Sequence, residues 1–444
     1  MPISDVFFNK LECILPELVK QFGTPFHIYN ERGILKNSQE LKRVFKELEF
    51  NNFFAIKANS NPAILGIMRK LGFGFDCSSI PELNLARQVG AGPEEIMFTS
   101  NNTSQEEFLE AALYGGCLLN LDDISLVEKV PEFPETICFR YNPGPLRQGL
   151  DGFIGEPEKC KYGVTHEQIV RAYQLAINRG AKKFGIHTMV VSNERDYRCM
   201  VETVNMLLNV VKQVSAELNI TFDFINSGGG LGIPYNLNDQ PIDLERMGKE
   251  IIGTMAAFRA EMGWVPRLLM ENGRWVTGPF GALVATCITI KSTYQEFRGL
   301  DASCVSSMMR PVMYHGQGGG YHYISVFGQD GKFKQDGRSD WQSVSVVGPE
   351  CEDNGRFCWE RLLPPIEEGD LAVVHDTGAH CYAMASNYNG RLRPQELLLR
   401  SDGSVELIRR AETVEDLFAT LEFEPKSWQP EGSAKGSKLA KKIA

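Results

Sequence analysis

The sequence is poor in the features that mark several whole classes of protein. It contains no Cys-x-x-Cys pair, and its 11 cysteines are scattered from Cys13 to Cys381. An odd, dispersed set does not build a closed disulfide framework and suits reduced thiols in a cytoplasmic protein. Positive charge is in deficit: 46 Lys and Arg stand against 56 Asp and Glu, a formal net charge of -10. Phosphate-backbone recognition needs clustered cations, so no nucleic-acid partner is expected. No apolar run approaches the roughly 18 residues of a membrane helix. "MPISDVFFNK" has no basic stretch leading into an apolar segment, so neither a membrane partner nor a targeting segment is expected. The 7 histidines form no His-x-x-x-His or Cys/His cluster, which leaves a metal site without support.

What is present is an ordinary soluble composition, 43% hydrophobic and 23% charged, in 444 residues. That length suits two or three domains with a large core. Eight short apolar or β-branched runs recur: "FFAIKA", "GFDCSS", "IMFTS", "LLNLDD", "ICFRYN", "GIHTMVV", "FDFINSGGG" and "RLLMENGR". Stretches such as "EQIVRAYQLAINRG" separate most of them, with apolar residues recurring at three and four as in a helix. Eight strands alternating with helices predict a (β/α)8 barrel, here over 26–280. Beyond residue 280 the runs "ALVATCITI", "YHYISVFG", "QSVSVVG" and "DLAVVHD" predict a mostly β domain over 281–424, joined by residues 1–25. "RSDGSVELI" reads as a hairpin with a primed Asp-Gly turn. The Gly-, Ser- and Lys-rich tail, 425–444, reads as disordered.

In "FFAIKANSNP" Lys57 sits where a buried run breaks into a loop. Either its stem packs on the core while the ammonium reaches water, or it is held partly dry so that the neutral amine can act as a nucleophile. "NSGGGLG" puts three glycines after a strand. That suits either a tight turn or backbone N–H groups closing on a phosphate. "MENGRWVTGP" places Glu271 and Arg274 at the exit of the next strand. These are a carboxylate for a protonated ring nitrogen and a guanidinium for a phosphate, or an internal ion pair at the rim. Asp76, Arg140 and His187 also fall at strand exits, where barrel enzymes keep their chemistry. Together, a lysine, a glycine turn and a carboxylate are the parts required to hold pyridoxal phosphate.

In that order along the chain, "AIKANSNP", "GFDCSS", "SGGGLGIPY", "ENGR", "MMRPVMY", "GPECEDN" and "HDTGAHCYAMASNYNGRLRPQELLL" resemble the diaminopimelate decarboxylase family. These are alanine-racemase-type (fold type III) pyridoxal-phosphate enzymes, and the match runs from about residue 20 to 424. The resemblance implies pyridoxal 5'-phosphate bonded to Lys57, with Asp76 among the cofactor-binding residues. Gly228, Gly229, Gly230 and Arg274 would hold its phosphate, and Glu271 would pair with the pyridine nitrogen. Arg310 and Tyr314 match positions that bind a distal substrate carboxylate. Cys351 and Glu352 match a pair that enters the active site from the partner subunit of a homodimer. Cys351 is then the candidate to protonate Cα, since a thiol with a near-neutral pKa can give and recover a proton.

Four departures from the family pattern stand out, one of them the extra glycines after Tyr314 in "MYHGQGGGYHYI". "EPGR" is "ENGR"; a "HxHIGS"-like segment is "HTMVVS", with Met189 where a ring-stacking histidine belongs; and the tyrosine of "GAY" is His380. His187 and Met189 share a strand face, so either could meet the ring. The implied reaction is decarboxylation of meso-2,6-diaminopimelate to L-lysine and CO2. The alternatives are a decarboxylase of ornithine, arginine or a specialised diamino acid, and a non-catalytic cofactor-binding homologue. Arg310 weighs against a simple diamine, and the intact Lys57, Glu271 and Cys351 weigh against a silent protein.

Overall fold

A computed structural model of the chain describes residues 5–147, 156–314, 320–334 and 338–425. The chain enters through a helix, Asp5–Phe22, and a strand, β1 (Phe26–Asn30). Eight short strands follow: β2 (Phe50–Ala55), β3 (Gly74–Cys77), β4 (Ile96–Phe98), β5 (Leu118–Leu121), β6 (Thr136–Arg140), β7 (Lys183–His187), β8 (Phe224–Asn226) and β9 (Arg267–Met270). Each pairs parallel with the next, and β9 returns to β2 to close a barrel. They are the eight runs picked out above. Parallel barrel strands are covered on both faces, which is why they read as continuous apolar stretches. Phe53, Met97, Leu118, Cys138, Phe224 and Leu269 fill the interior as a packed core. Gly185 on β7 is needed there, because a Cβ at that position would overlap the Phe224 ring.

The crossover helices lay apolar stripes on the barrel. Helix Tyr197–Leu218 begins at Asp196, whose side chain accepts from Arg198 N–H, and ends at a left-handed Asn219, a start and stop that its sequence spells out.

The second half is a sheet: β10 (Gly281–Ser292), β11 (Glu296–Leu300), β12 (Ile324–Phe327), β13 (Gln342–Val347), β14 (Arg356–Leu363), β15 (Leu371–His375), β16 (Gln395–Leu399) and β17 (Val405–Arg409). The main order is β14-β13-β11-β10-β1-β16-β17, with β15 also on β10 and β12 on β15. The expected boundary at residue 26 put β1 in the barrel. Its hydrogen bonds put it in the sheet, antiparallel to β10 (Ile28 opposite Ala282) and parallel to β16 (Phe26 opposite Gln395). The apolar segment "FHIYN" is buried throughout, and a strand between two sheet neighbours reads like a barrel strand. The N-terminal helix packs on this sheet through Phe7, Leu11, Leu15 and Leu18, spaced four, four and three on one helical stripe. Each such side chain contributes about 2 kcal/mol on burial.

The expected hairpin forms between β16 and β17. Of its two turn residues only Gly403 has positive φ, 94°, and Arg400 N–H donates to Ser404 C=O at 2.8 Å. The connection is therefore a longer turn with a left-handed glycine rather than a primed pair. The tail expectation, 425–444, lies outside the described residues from 426 onward. Among the described residues no helix is long and apolar enough to cross a membrane.

Barrel and sheet meet around the loop that follows β2. The buried Glu396 carboxylate accepts from Tyr29 Oη (2.6 Å), Asn61 Nδ2 (2.9 Å) and Arg409 Nε. His380 N–H donates to Ala58 C=O at 2.9 Å.

Candidate active site

Lys57 lies in a single 3-10 turn, Ile56–Ala58, at the exit of β2. The turn stops because Asn61 caps the next helix, its side chain accepting from Ala63 N–H, with Pro62 at the first helical position. The Lys57 ammonium donates to Asp76 Oδ2, on β3, at 2.5 Å. Half its side chain is open, to a cavity of about 440 Å³ at the C-terminal mouth of the barrel. Burial alone would lower the pKa of this amine. The Asp76 and Glu271 carboxylates outweigh it and hold the ammonium above the ordinary lysine value. Burial and the Glu271 charge push the Asp76 pKa up, against the pull of Lys57.

Glu271, just past β9, has both oxygens engaged. Asn226 Nδ2 donates to Oε1 at 2.7 Å, and His187 Nε2 lies 3.2 Å from Oε2. A carboxylate accepts only, so His187 carries its proton on Nε2. Its Nδ1 is buried and has no hydrogen-bond partner among the described residues. Burial acts to raise the Glu271 pKa, yet His187, Lys57 and Asn226 bring it well below the usual carboxylate range. Glu271 is a fixed negative charge.

The glycine turn is tied to the same carboxylate. Asn226 Oδ1 accepts from Gly228 N–H at 3.0 Å, and Glu271 N–H donates to Gly228 C=O at 2.8 Å. Gly228 and Gly230 have φ of 71° and 102°, which favours glycine. A Cβ on Gly229 would sit 2.5 Å from the Glu271 carbonyl oxygen. Asn226 escaped the sequence reading; its signal was one polar residue ending an apolar strand. Met189 lies against the turn, its Sδ accepting from Gly229 N–H at 3.3 Å.

Arg274 does not pair with Glu271, which answers the rim ion-pair alternative. Its Nη1 donates to Tyr235 Oη at 2.9 Å. His380, at φ 57°, has its pKa lowered by burial and by Arg274, Arg310 and Lys57, and is a neutral imidazole. Lys57, His187, Met189, Gly229, Gly230, Glu271, Arg274, Tyr314 and His380 all line the one cavity. Arg140 lines it too, bonded to Asp122 at 3.2 Å beneath the Tyr162 ring.

Five of the expected residues are not on the cavity wall: Asp76 and Gly228 are bonded directly to the wall residues Lys57 and Glu271, and the other three stand further apart. Arg310 is fully buried, and none of its three guanidinium nitrogens has a hydrogen-bond partner among the described residues. It is stacked on the Tyr235 ring, 4.3 Å from the centroid. Cys351 and Glu352 lie exposed on the sheet domain. There Asn389 Nδ2 donates to Cys351 Sγ at 3.3 Å, and Tyr388 Oη donates to Glu352 Oε1 at 2.9 Å and lies 3.6 Å from Sγ. Hydrogen bonds from Tyr388 and Asn389 lower the Cys351 pKa.

This set fits pyridoxal phosphate. There is an amine for its aldehyde, a permanently ionised carboxylate for its ring nitrogen, and a glycine turn with an arginine for its phosphate. The buried polar atoms without partners among the described residues, His187 Nδ1 and the Arg310 guanidinium nitrogens, are capacity that a ligand would use, since such groups are costly to leave unpaired.

Comparison with known proteins agrees. Residues 31–278 match the family model described as pyridoxal-dependent decarboxylase, pyridoxal binding domain. The chain is 41% identical to Protein TabA of Pseudomonas amygdali pv. tabaci over 426 residues, 96% of this chain and 97% of that one. It is 34% identical to the diaminopimelate decarboxylase of Methanothermobacter thermautotrophicus over 408 residues, 90% and 92% of the two chains. The crystal structure of diaminopimelate decarboxylase from M. jannaschii in complex with L-lysine superposes with a TM-score of 0.82 at 30% identity, covering 91% of this chain and 93% of that one.

Proposed function

The chain belongs to the pyridoxal-dependent decarboxylases, and from that premise we propose that it releases CO2 from meso-2,6-diaminopimelate to leave L-lysine. The observation that carries this substrate is Arg310, a buried guanidinium with no hydrogen-bond partner among the described residues, separated from the cavity by the Tyr314 ring of its wall. An unpaired buried cation is strongly destabilising, and the distal carboxylate of a diamino diacid would neutralise it with bidentate geometry. A simple diamine precursor such as ornithine has no such group.

When bound, pyridoxal phosphate supplies an electron sink for the pair released as the Cα–carboxylate bond breaks. The chain's own residues do the rest. Lys57 provides the amine that holds the cofactor, and Asp76 receives its proton-bearing end. Glu271 stays ionised and keeps a proton on the ring nitrogen. Gly228, Gly229, Gly230 and Arg274 bind the phosphate, and His380 donates near them where the family has a tyrosine. His187 would cover the ring, since Met189 packs against the phosphate turn, its sulfur accepting from Gly229 N–H.

Cys351 and Glu352 serve the cavity of a second subunit in a homodimer. Their exposure on the sheet domain, away from their own chain's cavity, supports that reading. Cys351 Sγ gives its proton to Cα, and Glu352 accepts from the distal ammonium. All 11 cysteines are free, which fits a reducing cytoplasm.

The 41% identity to Protein TabA, against 34% to the archaeal decarboxylase, favours a second reading: a related diamino diacid in place of diaminopimelate itself. The test is CO2 release from a panel of meso-diaminopimelate, its stereoisomers, L-lysine, L-ornithine and L-arginine. Turnover restricted to diacids supports the proposal, and preference for ornithine or arginine overturns it.

A further inference from the structure

Tyr235 closes the segment "SGGGLGIPY", where the motif reading assigned it no role, and it touches both arginines of the site. It is 1% exposed. Its hydroxyl accepts from Arg274 Nη1 at 2.9 Å, its ring face carries Arg310 at 4.3 Å, and His322 meets the ring edge-on at 5.1 Å. Arg310 has the Tyr314 ring at 5.3 Å on another side. His322 is itself bonded through Nδ1 to His375 C=O at 2.8 Å, and its Nε2 has no partner among the described residues. Around Arg310, then, are aromatic faces, a neutral imidazole and a second guanidinium. Burial lowers the Arg310 pKa to about 10, with Arg274 acting in the same direction.

A π-face is a weak partner for a buried cation compared with a carboxylate, but it holds a guanidinium in plane without consuming its N–H donors. We propose that Tyr235 is a positioning residue for substrate selection: its ring keeps Arg310 aligned with donors free for the distal carboxylate, while its hydroxyl fixes Arg274 at the phosphate end. One side chain thereby sets the spacing between the two anion-binding points. The inference rests on the reading of Arg310 as the acid-binding residue.

The experiment uses the holoenzyme and three variants, Y235F, Y235L and R310K. The reading is calorimetric Kd for pimelate, a diacid without amines, beside the inhibition constant of cadaverine (1,5-diaminopentane), which has the same chain and no carboxylate. Y235L should weaken pimelate about tenfold by removing the ring and leave cadaverine within about threefold of the parent. Y235F keeps the ring and should spare pimelate, while weakening the cofactor in a fluorescence titration of the apoprotein by about fivefold through loss of the Arg274 acceptor. Equal weakening of pimelate and cadaverine in Y235L means a merely structural role and overturns the proposal. So does weakened pimelate in Y235F, which decides the matter if Y235L fails to fold. If R310K leaves pimelate binding intact, the Arg310 reading itself falls. If R310K weakens pimelate and Y235L does not, only the role of Tyr235 falls.

Discussion

His187 and Glu271, 84 residues apart in sequence, meet through Nε2 and Oε2 at 3.2 Å beneath the barrel mouth. Asn226 holds the other carboxylate oxygen at 2.7 Å, so the charge of Glu271 is both oriented and kept. E271Q preserves the shape and removes the charge. Its kcat should fall by the order of 100-fold, about 2.7 kcal/mol on the barrier, with cofactor still bound. CO2 release and the cofactor absorbance band, measured together, check this; a fall of less than about threefold would contradict the role given to Glu271.

The turn geometry makes Gly229 a second target. Its φ is not in the left-handed region, so the objection to a side chain is space alone: an added Cβ lies 2.5 Å from the backbone oxygen of Glu271. G229A should cost about 1–3 kcal/mol of stability as the turn shifts and weaken cofactor binding. Thermal unfolding with and without added pyridoxal phosphate measures both, and unchanged affinity would remove the turn from the phosphate site.

At Cys351 the prediction concerns pH. The phenol of Tyr388 has one proton to share between Sγ and Glu352, whereas Asn389 Nδ2 is an unambiguous donor to Sγ. That bond favours the thiolate, so its removal raises the thiol pKa. Asn389 has φ 56°, and N389G keeps that backbone while deleting the donor. Because the acid form is the one that delivers a proton, the alkaline limb of the kcat profile should move to higher pH. Alkylation of Cys351, followed by peptide mass mapping, should slow at neutral pH. A limb that stays in place would exclude this thiol as the acid.

Shared sites can be tested by mixing. K57A and C351A are each expected to be inactive, but a hybrid dimer has one cavity with both an intact lysine and an intact partner cysteine. Random reassociation should recover about one quarter of the parent activity. Recovery of none, with hybrids present by native mass spectrometry, would place Cys351 outside the partner's cavity.

Much of this architecture was legible in the sequence because short buried strands leave an unmistakable apolar signature between amphipathic helices. Lys57, Glu271 and the glycines stood out for breaking that signature at strand exits. β1 went astray for the complementary reason: five buried residues look alike whether a barrel or a sheet surrounds them. Asn226 and Tyr235 were missed because their roles are tertiary. An asparagine bridging a glycine amide to a carboxylate, or a tyrosine between two arginines, has no spacing to betray it. The Arg274–Glu271 ion pair was a reasonable local alternative, and it fails because Tyr235, 39 residues earlier, supplies a better-placed acceptor.

The loop carrying Lys57 is stitched to the sheet from two directions, through His380 N–H on Ala58 and through Glu396 on Asn61. Its shape is thus a joint product of both halves. A chimera that grafts one relative's barrel onto another's sheet would inherit mismatched stitches at its most reactive amine. Recombination between family members should therefore succeed only when these contacts travel as a set.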